Sequence, residues 1–133
     1  MEMFISYLLE HGVSSNNIIS INFEDYDFYE LRDPMKLNQY IKERLVPNEK
    51  NYIFFDEIQY VTDLPVILDS LFIRKNIDLY VTGSNAYMLS SEISTLISGR
   101  YIEISMLPLS FAEYVLSTGK KWTIKKIYGL HSK

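Results

Sequence analysis

With 133 residues, 47% apolar and 23% charged, the chain suffices for one domain with a real core and contains no tract hydrophilic enough to stay disordered. It has no cysteine, which excludes disulfides and thiolate metal sites and fits a reducing, cytoplasmic setting. Residues 119–133 hold five lysines and no acid, leaving 8 basic against 17 acidic side chains elsewhere, a net of −9 that repels phosphate backbones and argues against a nucleic-acid partner.

The apolar runs are a few residues long, against the roughly 20 that a membrane-spanning helix needs, so no membrane partner is expected. His11 and His131 are isolated and have no second ligand at metal-binding spacing.

Residues 2–11 place Phe4, Ile5, Leu8 and Leu9 on one helical face, and Gly12 supplies a left-handed stop. No capping residue precedes this helix, so its natural start is expected upstream. "NIISINF" (17–23) reads as a buried strand, being β-branched and bounded by polar residues. Asp33 then caps a helix with Pro34 in its first turn and Leu37, Tyr40, Ile41 and Leu45 on one face.

"YIFFDE" (52–57) is the second strand, and "DLPVILDSLF" (63–72) a helix capped by Asp63, with Leu64, Leu68, Leu71 and Phe72 facing inward. "IDLYVTGSN" (77–85) is a third strand running into a polar loop. A helix from Ser91, with Ile93, Leu96 and Ile97 inward, ends at Gly99. "YIEISML" (101–107) reads as a fourth strand, and Ser110 with Glu113 as the capping box of a last helix closed by Gly119.

Apolar strands alternating with helices imply an α/β fold with a parallel sheet, in which ligands sit at the carboxyl ends of the strands. Three polar clusters fall there: Asp56-Glu57, Thr82-Gly83-Ser84-Asn85, and the loop with Gly99-Arg100. An Asp ending a buried strand can hold magnesium directly or through water, and the next acid can polarise an attacking water. A neutral donor on the adjacent strand, Ser84 or Asn85, suits a terminal phosphate, and Arg100 can stabilise a transferring phosphoryl group, commonly in a neighbouring subunit. Each cluster also has a plainer reading: Asp56 and Glu57 as strand-end caps, Gly83 as a turn, Arg100 as an exposed helix-end charge.

Taken together, "NNIISINFEDYDF", "YIFFDEIQ", "LYVTGSNAYMLS" and "LISGRYIEISMLPLSFAEY" resemble the prokaryotic AAA-type ATPases over nearly residues 1–116. The resemblance implies a P-loop NTPase-like three-layer core occupying residues 1–118, with a basic tail at 119–133. It further implies ATP and Mg2+ as cofactors, Asp56 as the magnesium-associated Walker B acid and Glu57 as the catalytic base. Asn85 or Ser84 matches the sensor position and Arg100 an arginine finger; Gln59 matches the family's "DEIQ".

That family's glycine-rich phosphate loop has no match here. The chain's one Gly-Lys pair, Gly119-Lys120, has Tyr114 where the first glycine belongs. The expected architecture is therefore a truncated core, missing the first central strand and the phosphate loop, and inactive by itself because the phosphates have no cradle of backbone N–H groups. An alternative is a non-enzymatic remnant that acts as a protein-interaction module, by self-association or with the missing N-terminal portion, through an incomplete sheet. A metal-dependent nuclease using Asp56, Glu57 and a tail lysine is a weaker third, since no third acid stands at a fitting position.

Overall fold

A computed structural model of the chain describes residues 1–83, 95, 99–102, 104 and 107–118. Three runs of β-branched and aromatic residues form strands: β1 (Ile18–Asn22), β2 (Asn51–Asp56) and β3 (Ile77–Val81). They make one parallel sheet in the order β1-β2-β3, with Ile18 opposite Tyr52 and Asn51 opposite Ile77. The connections carry helices, as parallel pairing requires, and the fold is α/β as expected.

The period of two along each strand decides what each face does. Ile19, Ile21, Ile53 and Phe55 point to one side. There they pack with α2 (Pro34–Arg44) through Leu37 and Ile41, and with α3 (Leu64–Phe72) through Leu64, Ile67, Leu68 and Leu71. Each such side chain, fully buried, contributes about 1.5–3 kcal/mol.

On the opposite face, Phe4 of α1 (Glu2–Glu10) meets Phe54 and Tyr80, which stack on each other with ring centroids 4.8 Å apart. Burial pushes the Tyr80 phenol above its usual range, with the Asp78 carboxylate adding to the effect. The sheet thus has helices on both sides, three layers in all.

Several boundaries follow local chemistry. Asp33 accepts from the backbone N–H groups of Met35 and Lys36 at 3.0 and 2.9 Å, capping α2 as its position ahead of Pro34 suggests. Helix α1 closes on a Schellman motif, with Val13 N–H bonded to Leu8 O and Gly12 N–H to Leu9 O, and Gly12 at φ +88.

Ser110 and Glu113 form the reciprocal capping box of α4 (Phe111–Ser117). Its two hydrogen bonds from Ser110 hold the Glu113 carboxyl below the usual range. Residues 1–101 and 102–133 form two compact units, and α4 belongs to the second.

Four expectations need correction. Asp63 precedes α3, but its backbone is left-handed at φ +48 and its side chain caps nothing. A side-chain cap needs an extended N-cap residue, and here only the Asp63 carbonyl engages the helix, accepting from Val66 N–H at 3.1 Å. Leu9 is exposed: Leu8 is the buried residue of α1, and Phe4, itself partly exposed, is the one whose ring meets the sheet aromatics. Phe72 is only half-buried, and Ile67 takes the inward place expected of it.

The described residues of the expected fourth strand, Tyr101, Ile102, Ile104 and Leu107, lie outside any strand. Its remaining residues lie outside the described ones. So do the Ser91 cap, Ile93, Leu96 and Ile97 of the expected fourth helix, and Gly119 with the rest of the tail.

Candidate functional site

β2 is the central strand and buries Ile53, Phe54 and Phe55 almost completely before surfacing at Asp56. The strand ends there because the next residue, Glu57, adopts a left-handed backbone at φ +56. For a non-glycine residue that conformation costs roughly 1–2 kcal/mol, so its neighbours must hold it.

The neighbour that does so is Thr82, one residue past β3. Its hydroxyl donates to Asp56 Oδ1 and accepts from the Glu57 N–H at 3.2 Å. The Thr82 backbone adds two bonds, donating to Phe55 O at 2.8 Å and accepting from Ile58 N–H at 3.0 Å. A single residue thereby fixes both acids.

Each carboxylate keeps one oxygen that accepts no bond among the described residues. Asp56 spends Oδ1 on Thr82, and Glu57 spends Oε2 on the Gln59 side-chain amide at 2.5 Å. Both acids are half-buried, and the hydrogen bonds orient them without consuming them. Oxygens left over on oriented carboxylates can take a cation or a water proton.

The loop after Glu57 is tied to the end of β1 by Arg32. Its guanidinium donates twice to Phe23 O, at 3.0 and 2.6 Å, and lies between the rings of Tyr29 and Tyr60, 4.8 and 4.6 Å from their centroids. Thr62 donates its N–H and its hydroxyl to Arg32 O, and Phe23 N–H bonds Asp56 O.

Sequence reasoning named neither Arg32 nor the hydroxyl of Thr82. The second was within reach, since Thr82 opens the "TGSN" already singled out; the first was not, because Phe23 and Tyr60, which give Arg32 its role, come from other segments.

Of the other expected site residues, Ser84 and Asn85 lie outside the described residues. Arg100 is exposed and meets Asp69 on α3, with 3.4 Å between Nη1 and Oδ1. Such a surface pair is weak, and the contact is with neither Asp56 nor Glu57.

No group of three or more His, Cys, Asp or Glu poised around a metal occurs among the described residues. Magnesium does not demand one. It is usually held by one or two carboxylates plus substrate phosphates and water, and Asp56 with its open oxygen fits that pattern. No helix among the described residues is long and apolar enough to cross a membrane.

A family model described as "AAA domain" matches residues 1–115. An uncharacterised protein of Haemophilus influenzae is 42% identical over 110 residues, which cover 82% of this chain and 28% of that protein. The uncharacterised protein MJ1544 of Methanocaldococcus jannaschii is 35% identical over 118 residues, covering 85% of this chain and 25% of its own length. The chain thus spans about a quarter of these curated relatives. No solved structure matches it significantly.

Proposed function

Because the chain belongs to the AAA domain family, we propose that it is the acid-bearing part of a P-loop ATPase core, serving ATP hydrolysis in a longer protein. The observation that carries this reading is the pair Asp56-Glu57 at the end of a buried central strand, both held by Thr82 and each with an oxygen open.

Asp56 would hold a magnesium ion, directly or through its water, and Glu57 would be the base that takes the proton of the attacking water. When bound, the ion neutralises charge developing on the phosphates. Gln59 donates to Glu57 Oε2, which leaves Oε1 as the oxygen to accept the proton of the attacking water. Ser84 or Asn85 feels the terminal phosphate, and Arg100 acts as the finger toward a nucleotide in a neighbouring subunit, released from its weak pairing with Asp69. ATP chemistry of this kind belongs in the cytoplasm.

Affinity for the phosphates comes mainly from a glycine-rich loop and its lysine, and this sequence has neither. The isolated chain should therefore show no saturable MgATP binding by calorimetry. Micromolar affinity would defeat the claim that the phosphate loop is essential.

A second reading is a non-enzymatic interaction module. It draws on the short sheet, whose outer strand β1 pairs on one side only among the described residues.

A further inference from the structure

Among the described residues β1 has one neighbour, β2, and its other edge is open. The Phe23 N–H bonds Asp56 O in β2, so by the period of two Ile19 and Ile21 also turn their backbone groups toward β2. Ile18, Ser20 and Asn22 turn theirs outward.

Two of these outward groups are used within the chain: Ile18 N–H bonds Ser15 O, and Asn22 O accepts from Asp25 N–H at 3.2 Å. The other four, Ile18 C=O, Ser20 N–H, Ser20 C=O and Asn22 N–H, make no hydrogen bond among the described residues.

β1 contains no lysine, proline or bulge, and Ser20 at its centre is small and exposed.

The four open groups are symmetric about Ser20. An antiparallel copy centred on the same residue exchanges both bonds between the two Ser20 residues and places each Asn22 N–H on the opposing Ile18 C=O. All eight groups from two copies are then paired, and the two already occupied groups are the ones this register leaves out. A two-fold contact needs such self-complementarity.

Charge agrees with this orientation. The acids Glu24, Asp25 and Asp27 follow β1, whereas its beginning has mixed charge, Arg44 and Glu43 lining one open groove with Ser15, Asn16 and Ile18. Arg44 has no carboxylate partner among the described residues; it lies over the Tyr40 ring. Antiparallel pairing brings the acidic turn after β1 of one copy to the beginning of β1 in the other, where that arginine and Glu43 lie, and not to the same acidic turn. Parallel pairing would set acid against acid.

We infer that the outer edge of β1 is a self-association surface, on which two copies of this chain pair antiparallel about an axis through Ser20. The inference stands independently of the ATPase reading.

The test uses the full chain in two variants. Because the chain has no cysteine, Ser20→Cys introduces a single thiol, and the opposed Cα atoms of such a pair, about 5.5 Å apart, suit a disulfide. Mild oxidation should yield a covalent dimer, while Asp69→Cys on α3 should not. Ser20→Pro removes an outward N–H at no cost to the β2 ladder, and should weaken dimerisation in sedimentation equilibrium by about tenfold or more with the circular dichroism spectrum unchanged.

A wild-type chain that sediments as a monomer at every concentration would overturn the inference. So would a dimer that Ser20→Pro leaves intact, which would place the contact on another surface, or one that oxidation of the Ser20→Cys variant fails to trap.

Discussion

The two ends of β2 both carry polar side chains with several hydrogen bonds, and the bonds serve opposite purposes. At the amino end Asn51 is wholly buried; its amide donates to Val46 O and Glu49 O, and its Oδ1 accepts from Val46 N–H at 2.9 Å. Every capacity that matters is used internally, and Asn17, donating to Glu49 and to Lys50 O, completes a closed lattice there. At the carboxyl end Asp56 and Glu57 are half-exposed, one sits on a strained backbone, and oxygens are left open. Polar burial by itself therefore marks architecture. A candidate site is marked by polar groups that are oriented and then left unfinished.

The sharpest way to break this contrast is at Asn51. Asn51→Ala strands the Val46 N–H and two carbonyls in a dry environment, and should destabilise the chain by about 3 kcal/mol in urea titration. A loss under about 1 kcal/mol would mean that the amino end is no more structural than the other.

Glu57→Gly tests the carboxyl end from the opposite direction. Glycine adopts φ +56 without penalty, so removing a functional acid should leave stability unchanged or raise it by up to about 1 kcal/mol. A marked loss would assign Glu57 to the fold.

The smallest effect is expected from acid. Glu113 has its folded-state pKa lowered by Ser110, so its contribution is present above the ordinary value of 4.5 and is lost as pH falls through the depressed one. The short helix α4 should lose amide protection below that range, with the Asn51 end of β2 unaffected.

Much of this was legible in the sequence. The three strands announce themselves as β-branched and aromatic runs, the Asp33-Pro34 pair starts α2, and the Ser110-Glu113 spacing starts α4, because each signal is local. The same locality explains the misses. Asp63 has the right residue type for a cap, but its side chain is turned away by a left-handed backbone that no propensity anticipates.

The 3-10 segment Tyr26–Arg32 shows neither helical nor strand periodicity, and its last residue gains meaning only from Phe23, Tyr29 and Tyr60 after folding. Asp56 and Glu57 could be picked out from the sequence. That Thr82 would hold them both could not, since the contact joins residues 25 or 26 positions apart.

The Arg32 fork has an energetic consequence. Arg32 binds the turn after β1 to the loop after β2: its guanidinium holds the Phe23 carbonyl and two aromatic faces, and its backbone oxygen accepts from Thr62. Neither segment can swing outward without releasing the other. Opening the loop that carries Glu57 therefore also costs the contacts that hold the turn after β1, which couples the two segments energetically.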